Sequence, residues 1–352
     1  MLRTNLGESI EFSDNRIRHV RVRDDHLEVI VLDAPAWPTW EVDALQLLRY
    51  TPPDDANFDI RRVELPGREK QPQLIGDILV PRELAEGEQR PAVLFLGGGS
   101  PADRYGFAGP PAVDLGFHEI TDALAQSGFV VMRYDERGLG ESQAAEISWR
   151  GQGEDARRAF RMLLVQAEVD PDRVVVIGHG EGGWRAMQLA IERPQEVVGV
   201  ASLAAPGRSY RTLFGRYPGL IDSLESGIGL PPNLKQQETW YREILDVDPA
   251  KLVKHITCPL WIAQGGKDFE VNPKLEVERF VKAARKHKKK YQVERFPNLD
   301  HLFKHEEGVS EMRSYLEPRS VDREFLQKLI AFVRKSTKAK KTKTKTKKGS
   351  AR

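Results

Sequence analysis

The stretch Val174-Val175-Val176-Ile177, followed by Gly178-His179-Gly180-Glu181-Gly182-Gly183, constrains this chain more than any other. Four consecutive β-branched residues read as a strand covered on both faces, because a strand with one wet face alternates. The glycines after it mark a turn where two backbones pass too closely for a Cβ. From Trp184 the sequence continues as a helix. A buried strand feeding a helix through a sharp turn is a βα unit, and such units build parallel sheets flanked by helices.

The rest of the chain repeats that alternation. Residues 60–65 and 74–80 read as an antiparallel pair at a sheet edge, and 92–96 as a buried strand ending in Gly97-Gly98-Gly99-Ser100. A helix near 118–127 leads to a buried strand at 129–134. Ala156, Ala159, Phe160, Leu163, Leu164 and Ala167 then form one apolar helix stripe. Strands follow at 197–203, 260–264 and 291–296, with a Lys-rich helix to about 290 and a last helix at 321–335. Residues 206–255 interrupt the alternation with helical, Pro- and Gly-punctuated sequence. The expected fold class is therefore α/β, a mostly parallel sheet with a small helical cap inserted at 206–255. This main domain spans 57–335. Residues 1–56 read as an N-terminal extension with a hairpin, its strands at 17–23 and 27–32, and a short helix at 40–48.

Charge separates the ends of the chain. The formal charge is +2, yet ten Lys and Arg residues and no acid lie between Arg334 and Arg352, so the first 333 residues carry −8. The tail at 336–352 holds no apolar residue beyond Ala and reads as a solvated, disordered arm. A basic tail alone is not grounds for expecting nucleic acid as a partner. The single Cys258 excludes an internal disulfide and fits a reducing compartment. The first residues carry no apolar leader and no run approaches a membrane span, so a cytoplasmic location is expected. No metal-ligand or cofactor pattern is evident, and the oligomeric state is not encoded.

In an α/β sheet, ligands bind beyond the carboxyl ends of the strands. The turn after residue 177 has the form of a nucleophile elbow, Gly-x-Ser-x-Gly, with Gly180 where the Ser belongs. Two further strand ends carry chemistry. The strand 260–264 runs into Gly265-Gly266-Lys267-Asp268, and 291–296 into Pro297-Asn298-Leu299-Asp300-His301. Nucleophile position, acid, then His is the order of a hydrolytic triad, with His301 as proton acceptor and Asp268 holding its tautomer. Asp300 and Glu270 are the competing carboxylates. The oxyanion donors would be the N–H of Glu181 and those of Gly98 and Gly99 in the loop after the third strand of the main domain. His179 reads as packing, while Asp135 and Arg137 read as fixing a strand-end turn.

Together these residues resemble the α/β-hydrolase superfamily over about 60–330. They are most similar to a branch of bacterial carboxylesterases related to serine aminopeptidases. The resemblance rests on Gly98-Gly99-Ser100-Pro101-Ala102-Asp103-Arg104, Arg133-Tyr134-Asp135-Glu136-Arg137-Gly138, Leu203-Ala204-Ala205-Pro206-Gly207, Asp248-Pro249-Ala250, Gln264-Gly265-Gly266-Lys267-Asp268 and Leu299-Asp300-His301-Leu302-Phe303. It implies an α/β-hydrolase fold and hydrolysis of small acyl esters through an acyl-serine. Gly180 departs from the pattern, because glycine has no group to attack a carbonyl. Ser100, Ser142 and Cys258 belong to other turns or strand starts. The expected protein is an ester-hydrolase scaffold that is inactive or strongly impaired as it stands. The alternative is a non-catalytic small-molecule binding or regulatory protein on the same scaffold.

Overall fold

Residues 174–177 lie inside a longer strand, β11 (Val169–His179), paired in parallel with β7 (Arg90–Leu96) on one side and β12 (Val197–Leu203) on the other. Its side chains alternate between two cores. Val174 and Val176 join one, packed by α2 (Trp149–Leu164), α3 (Gly182–Glu192) and the helix Leu275–Lys286. Val175 and Ile177 join the other, packed by α1 (Phe117–Gln126) and the helix Arg323–Ser336. Burial on both faces is why the strand is apolar without interruption.

The structure is a computed structural model. It describes backbone at residues 9–11, 17–22, 27–31 and 40–42, and residues 49–69, 71–98, 102–108, 113–215, 219–228 and 237–338. Eight strands form the main sheet, in the order β14-β13-β12-β11-β7-β10-β6-β5. Its remaining members are β5 (Phe58–Leu65), β6 (Leu74–Pro81), β10 (Val130–Tyr134), β13 (Leu260–Gly265) and β14 (Tyr291–Phe296). β5 pairs antiparallel with β6 and β6 with β10; all other neighbours are parallel. Two-residue strands β8 (Phe107–Ala108) and β9 (Val113–Asp114) pair beside the loop after β7. The chain passes from β7 to β10 on one side, then returns to place β11 on the other. That reversal opens a crevice at the carboxyl ends of β7 and β11.

An N-terminal antiparallel sheet runs β1 (Ser9–Glu11), β2 (Ile17–Val22), β3 (Leu27–Val31), β4 (Trp40–Val42). The helix expected over 40–48 is not formed at its start, where β4 pairs with β3 instead. Trp and Val favour a pleated surface, and an available strand edge outweighs a short helix that lacks a nucleus; residues 43–48 lie outside the described residues. Two helix bounds also differ from expectation. α2 begins seven residues before the first stripe residue, Ala156, because the Ser148 side chain accepts the Gly151 N–H at 3.0 Å and caps it. The Lys-rich helix ends at Lys286, just before Lys288 turns to φ +50°. Short helices Tyr210–Phe214, Leu220–Ser226, Glu238–Ile244 and Pro249–Leu252 lie between β12 and β13. Residues from 339 onward, with most of the basic tail, lie outside the described residues. Among the described residues no helix is long and apolar enough to cross a membrane.

Candidate active site

Three backbones meet where β11 ends. A Cβ on Gly178 would lie 2.0 Å from the Gly182 carbonyl oxygen, and one on Gly182 2.2 Å from the Leu96 carbonyl oxygen. A Cβ on Gly98 would lie 2.4 Å from the Gly182 amide nitrogen. These glycines are steric necessities of β7, β11 and α3 crossing at one point. Gly180 differs. Its φ is +55°, but a Cβ there would meet only the Gly98 carbonyl, at 3.0 Å from the oxygen. A side chain at position 180 needs the Gly98 carbonyl to give by a few tenths of an ångström, and the backbone conformation adds its own cost.

Glu181 is the N-cap of α3, so its N–H and that of Gly182 belong to a first turn without intrahelical partners. The dipole at that terminus favours negative charge. Gly98 packs against the same turn. Gly99 and Ser100 lie outside the described residues. Arg185, one turn into α3 and 2% exposed, donates to the Gly97 carbonyl at 2.7 Å and to Glu136 at 2.7 Å. It ties the start of the loop after β7 to the helix. Sequence reasoning passed over it, although a charge inside an apolar helix was the available signal.

The loops after β13 and β14 bring Asp268 and His301 together. Both residues are 6% exposed, and His301 Nδ1 lies 2.8 Å from Asp268 Oδ2. That oxygen also accepts from Gln264 Nε2 at 2.7 Å, while Oδ1 accepts the N–H groups of Glu270 at 2.9 Å and Val271 at 2.8 Å. Asp300 faces away: it accepts from the N–H groups of Leu302 and Lys304, both at 2.9 Å, and from Arg319 at 2.8 Å. Glu270 takes a place the sequence did not suggest. Its Oε2 lies 3.8 Å from His301 Nε2, and its Oε1 accepts from the Tyr315 hydroxyl at 2.6 Å. Burial opposes a charge on His301, but Asp268 and then Glu270 outweigh it and lift the imidazole to about 9. The arrangement holds an imidazolium at neutral pH.

His179 does more than pack. Its Nε2 donates to the His301 carbonyl at 2.9 Å, and its ring meets the His301 ring edge-on at 4.7 Å. Burial first, then the neighbouring His301, pushes it down to about 3, so it is neutral and anchors the His301 backbone. The Glu181 side chain is buried and accepts from the Tyr210 hydroxyl on the first helix of the 206–255 segment. Burial outweighs the attraction of Arg185 and raises it to about 7.

The turn residues behave structurally. Asp135 accepts from Arg104 N and Nη1, both at 2.6 Å, and from Glu141 N at 2.9 Å, pinning the loop after β7 to the turn after β10. Arg137 Nε donates to Asp155 at 2.7 Å. The Ser142 hydroxyl donates to the Asp135 carbonyl at 2.8 Å and accepts the Ile75 N–H at 2.9 Å, which commits both of its roles. Burial pushes the Cys258 thiol up to about 12, far from a reactive thiolate. Asp114, His118 and Glu119 gather ligand atoms within 4.8 Å. Glu119 already accepts the Val321 N–H, and Asp114 lies 3.9 Å from Lys304 Nζ.

Comparisons with known proteins agree with this fold. Residues 115–223 match the family described as Serine aminopeptidase, S33, and residues 229–333 the Dienelactone hydrolase family. The chain is 25% identical to esterase EstD of Thermotoga maritima over 263 residues, 69% of this chain and 62% of that protein. It spans 48% to 62% of the length of the curated relatives it matches. Among solved structures it is similar to the Pyrococcus furiosus esterase Pf2001, with TM-score 0.55 and 17% identity over 84% of this chain and 98% of that one. It is also similar to the Pyrococcus horikoshii acylaminoacyl peptidase, with TM-score 0.56 and 16% identity over 93% of this chain and 49% of that one.

Proposed function

This chain belongs to the α/β-hydrolase superfamily, on its esterase and serine aminopeptidase-like branch, and on that premise we propose a carboxylic ester hydrolase site whose nucleophile position is Gly180. Asp268 orients His301 as general base, and the N–H groups of Glu181 and of the loop at Gly98 and Gly99 are the oxyanion donors. The ligand class is a small acyl ester. The 206–255 segment serves as the cap, within a domain spanning 57–335.

The observation that carries this reading is the buried Asp268–His301 pair at 2.8 Å, beyond the same sheet edge as the glycine turn. A buried carboxylate–imidazole pair is costly to assemble, and catalysis gives it a reason. Without a hydroxyl at 180 no acyl-enzyme forms there. Loss of a triad nucleophile lowers kcat by on the order of 10⁶, leaving roughly 10³–10⁴ over water from the oxyanion donors and binding. His301 serves as a base only when neutral, so proton abstraction from a serine at 180 or from a lodged water is expected to strengthen as pH rises toward about 9.

The test is covalent labelling with a fluorophosphonate probe. The native chain is expected to remain unlabelled and Gly180→Ser to be labelled at residue 180. Stoichiometric labelling of the native chain at any residue would reveal another nucleophile and overturn the assignment. A folded Gly180→Ser protein that binds acyl esters but refuses the probe would favour the binding or regulatory alternative.

A further inference from the structure

The cap segment 206–255 reaches the glycine turn through Tyr210. Where the chain leaves β12, Glu276 takes hold of it: one carboxylate oxygen accepts the Gly207 N–H at 2.9 Å and the other accepts from Arg208 Nε at 2.7 Å. Glu276 is buried, and a Cβ on Gly207 would lie 2.3 Å from its carbonyl oxygen, so this root is tightly packed. Arg279, one turn further along the same helix, donates to the Gly207 carbonyl at 2.9 Å and to Asp248 at 3.2 Å, joining the two ends of the segment. Tyr210 opens the first helix beyond that root. Its ring centroid lies 5.5 Å from that of Trp184 on α3, and 5.4 and 5.2 Å from those of Trp240 and Phe214 within the segment. Its hydroxyl donates to the Glu181 carboxylate.

That carboxylate stands where it has somewhere else to go. Glu181 is the N-cap of α3, yet its side chain accepts no N–H of its own helix. A carboxylate at a helix N-terminus gains by turning onto the free N–H groups there. Here the N–H groups of Glu181 and Gly182 donate to no acceptor among the described residues. Arg185 attracts the carboxylate, but its Nη groups are committed to Gly97, Glu136 and Gln152, and Glu136 repels it. The hydrogen bond that keeps the carboxylate off the turn is the one from Tyr210. Burial raises the Glu181 carboxyl to about 7, so near neutral pH a substantial fraction is an anion able to compete for those donors.

We propose that Tyr210 is a positioning residue of the site: from the cap it holds the Glu181 carboxylate away from the first turn of α3, leaving the N–H groups of that turn free for the oxyanion of an acyl substrate. The effect on turnover rests on the ester-hydrolase reading, whereas the placement of the carboxylate does not. Without the Tyr210 hydroxyl, the protein's own carboxylate takes the donors as an internal anion, and an acyl oxygen must displace it. The cap thereby becomes a condition of the oxyanion site.

The experiment compares the native chain, Tyr210→Phe and Tyr210→Phe/Glu181→Met, each with and without Gly180→Ser. Phe keeps the ring among Trp184, Trp240 and Phe214 and removes only the hydroxyl. Met keeps the length of Glu and removes the carboxylate. In the chains that retain Gly180, the backbone amide protons are read by NMR. Those of Glu181 and Gly182 are expected to move downfield in Tyr210→Phe, and that of Gly182 to return in Tyr210→Phe/Glu181→Met. In the Gly180→Ser chains, hydrolysis of a short-chain aryl ester is followed. Tyr210→Phe is expected to lower kcat on the order of 10²-fold with KM nearly unchanged, and adding Glu181→Met to recover most of that loss. A hydroxyl that served packing alone would give a loss that Glu181→Met leaves in place or deepens. Amide protons that both stay in place in Tyr210→Phe would overturn the proposal, as would an unchanged kcat or a loss that survives Glu181→Met. If Gly180→Ser alone shows no turnover, the ester-hydrolase reading falls and the amide shifts decide the placement of the carboxylate by themselves.

Discussion

At position 180 the glycine is not imposed by crowding, and that separates it from its neighbours. Gly178→Ala must push a Cβ into the Gly182 carbonyl at 2.0 Å, so it is expected to cost more than about 4 kcal/mol or abolish folding. Gly180→Ala asks the Gly98 carbonyl to give slightly and strains a φ of +55°, for a cost on the order of 1–3 kcal/mol. Urea unfolding of the two variants checks the contrast, and equal losses would contradict it. His301 makes a second residue-scale prediction. Its pKa of about 9 lies above the ordinary 6.5, so its stabilising contribution is complete below pH 6.5 and is lost as pH rises through 9. NMR titration of His301 should give a midpoint near 9, moving lower in Glu270→Gln; an unmoved midpoint would remove Glu270 as a partner. The order Gly180, Asp268, His301 was legible because each follows a readable strand. Glu270 was not, because its approach to Nε2 depends on Asp268 accepting the N–H groups of residues 270 and 271 and curling the loop back.

Elements were read well wherever burial sets the pattern. The run at 174–177 and the edge pair β5–β6 follow from which faces are covered, and periodicity reports that directly. Where a cap or a pairing edge decides, periodicity was silent. Ser148 extends α2 through Gly151 and Gly153, both poor helix formers, and β3 draws Trp40–Val42 into a strand. α3 was read from its helical pattern, but its role as a brace came only with Arg185. Replacing that residue with Met leaves Glu136 and the Gly97 carbonyl without their shared donor. Arg185→Met is expected to lose about 2–4 kcal/mol. In a Gly180→Ser background it should also depress turnover by displacing the loop at Gly98. A stability loss without any effect on turnover would show that the brace does not reach the site.

The whole molecule separates its candidate chemistry and its basic segments between the two edges of one sheet. At the carboxyl edge the strand reversal gathers Gly98, Gly180, Glu181, Asp268 and His301; at the amino edge lie the basic residues 286–290 and the end of the last helix, where Ser336 packs on Gly199. Topology of this kind was accessible from the alternation of strands and helices, whereas the sharing of an edge by distant segments required the register of β12, β13 and β14. The central claim concerns the carboxyl edge, that it is an acyl-transfer site lacking only a hydroxyl. Its most direct test is the steady-state hydrolysis of a short-chain aryl ester by the native chain, Gly180→Ser, and Gly180→Ser/His301→Ala. The account expects kcat/KM to rise by several orders of magnitude in the single variant, with an initial burst, and to fall back in the double variant. A folded Gly180→Ser protein no faster than the native chain, or a gain that survives loss of His301, would contradict it.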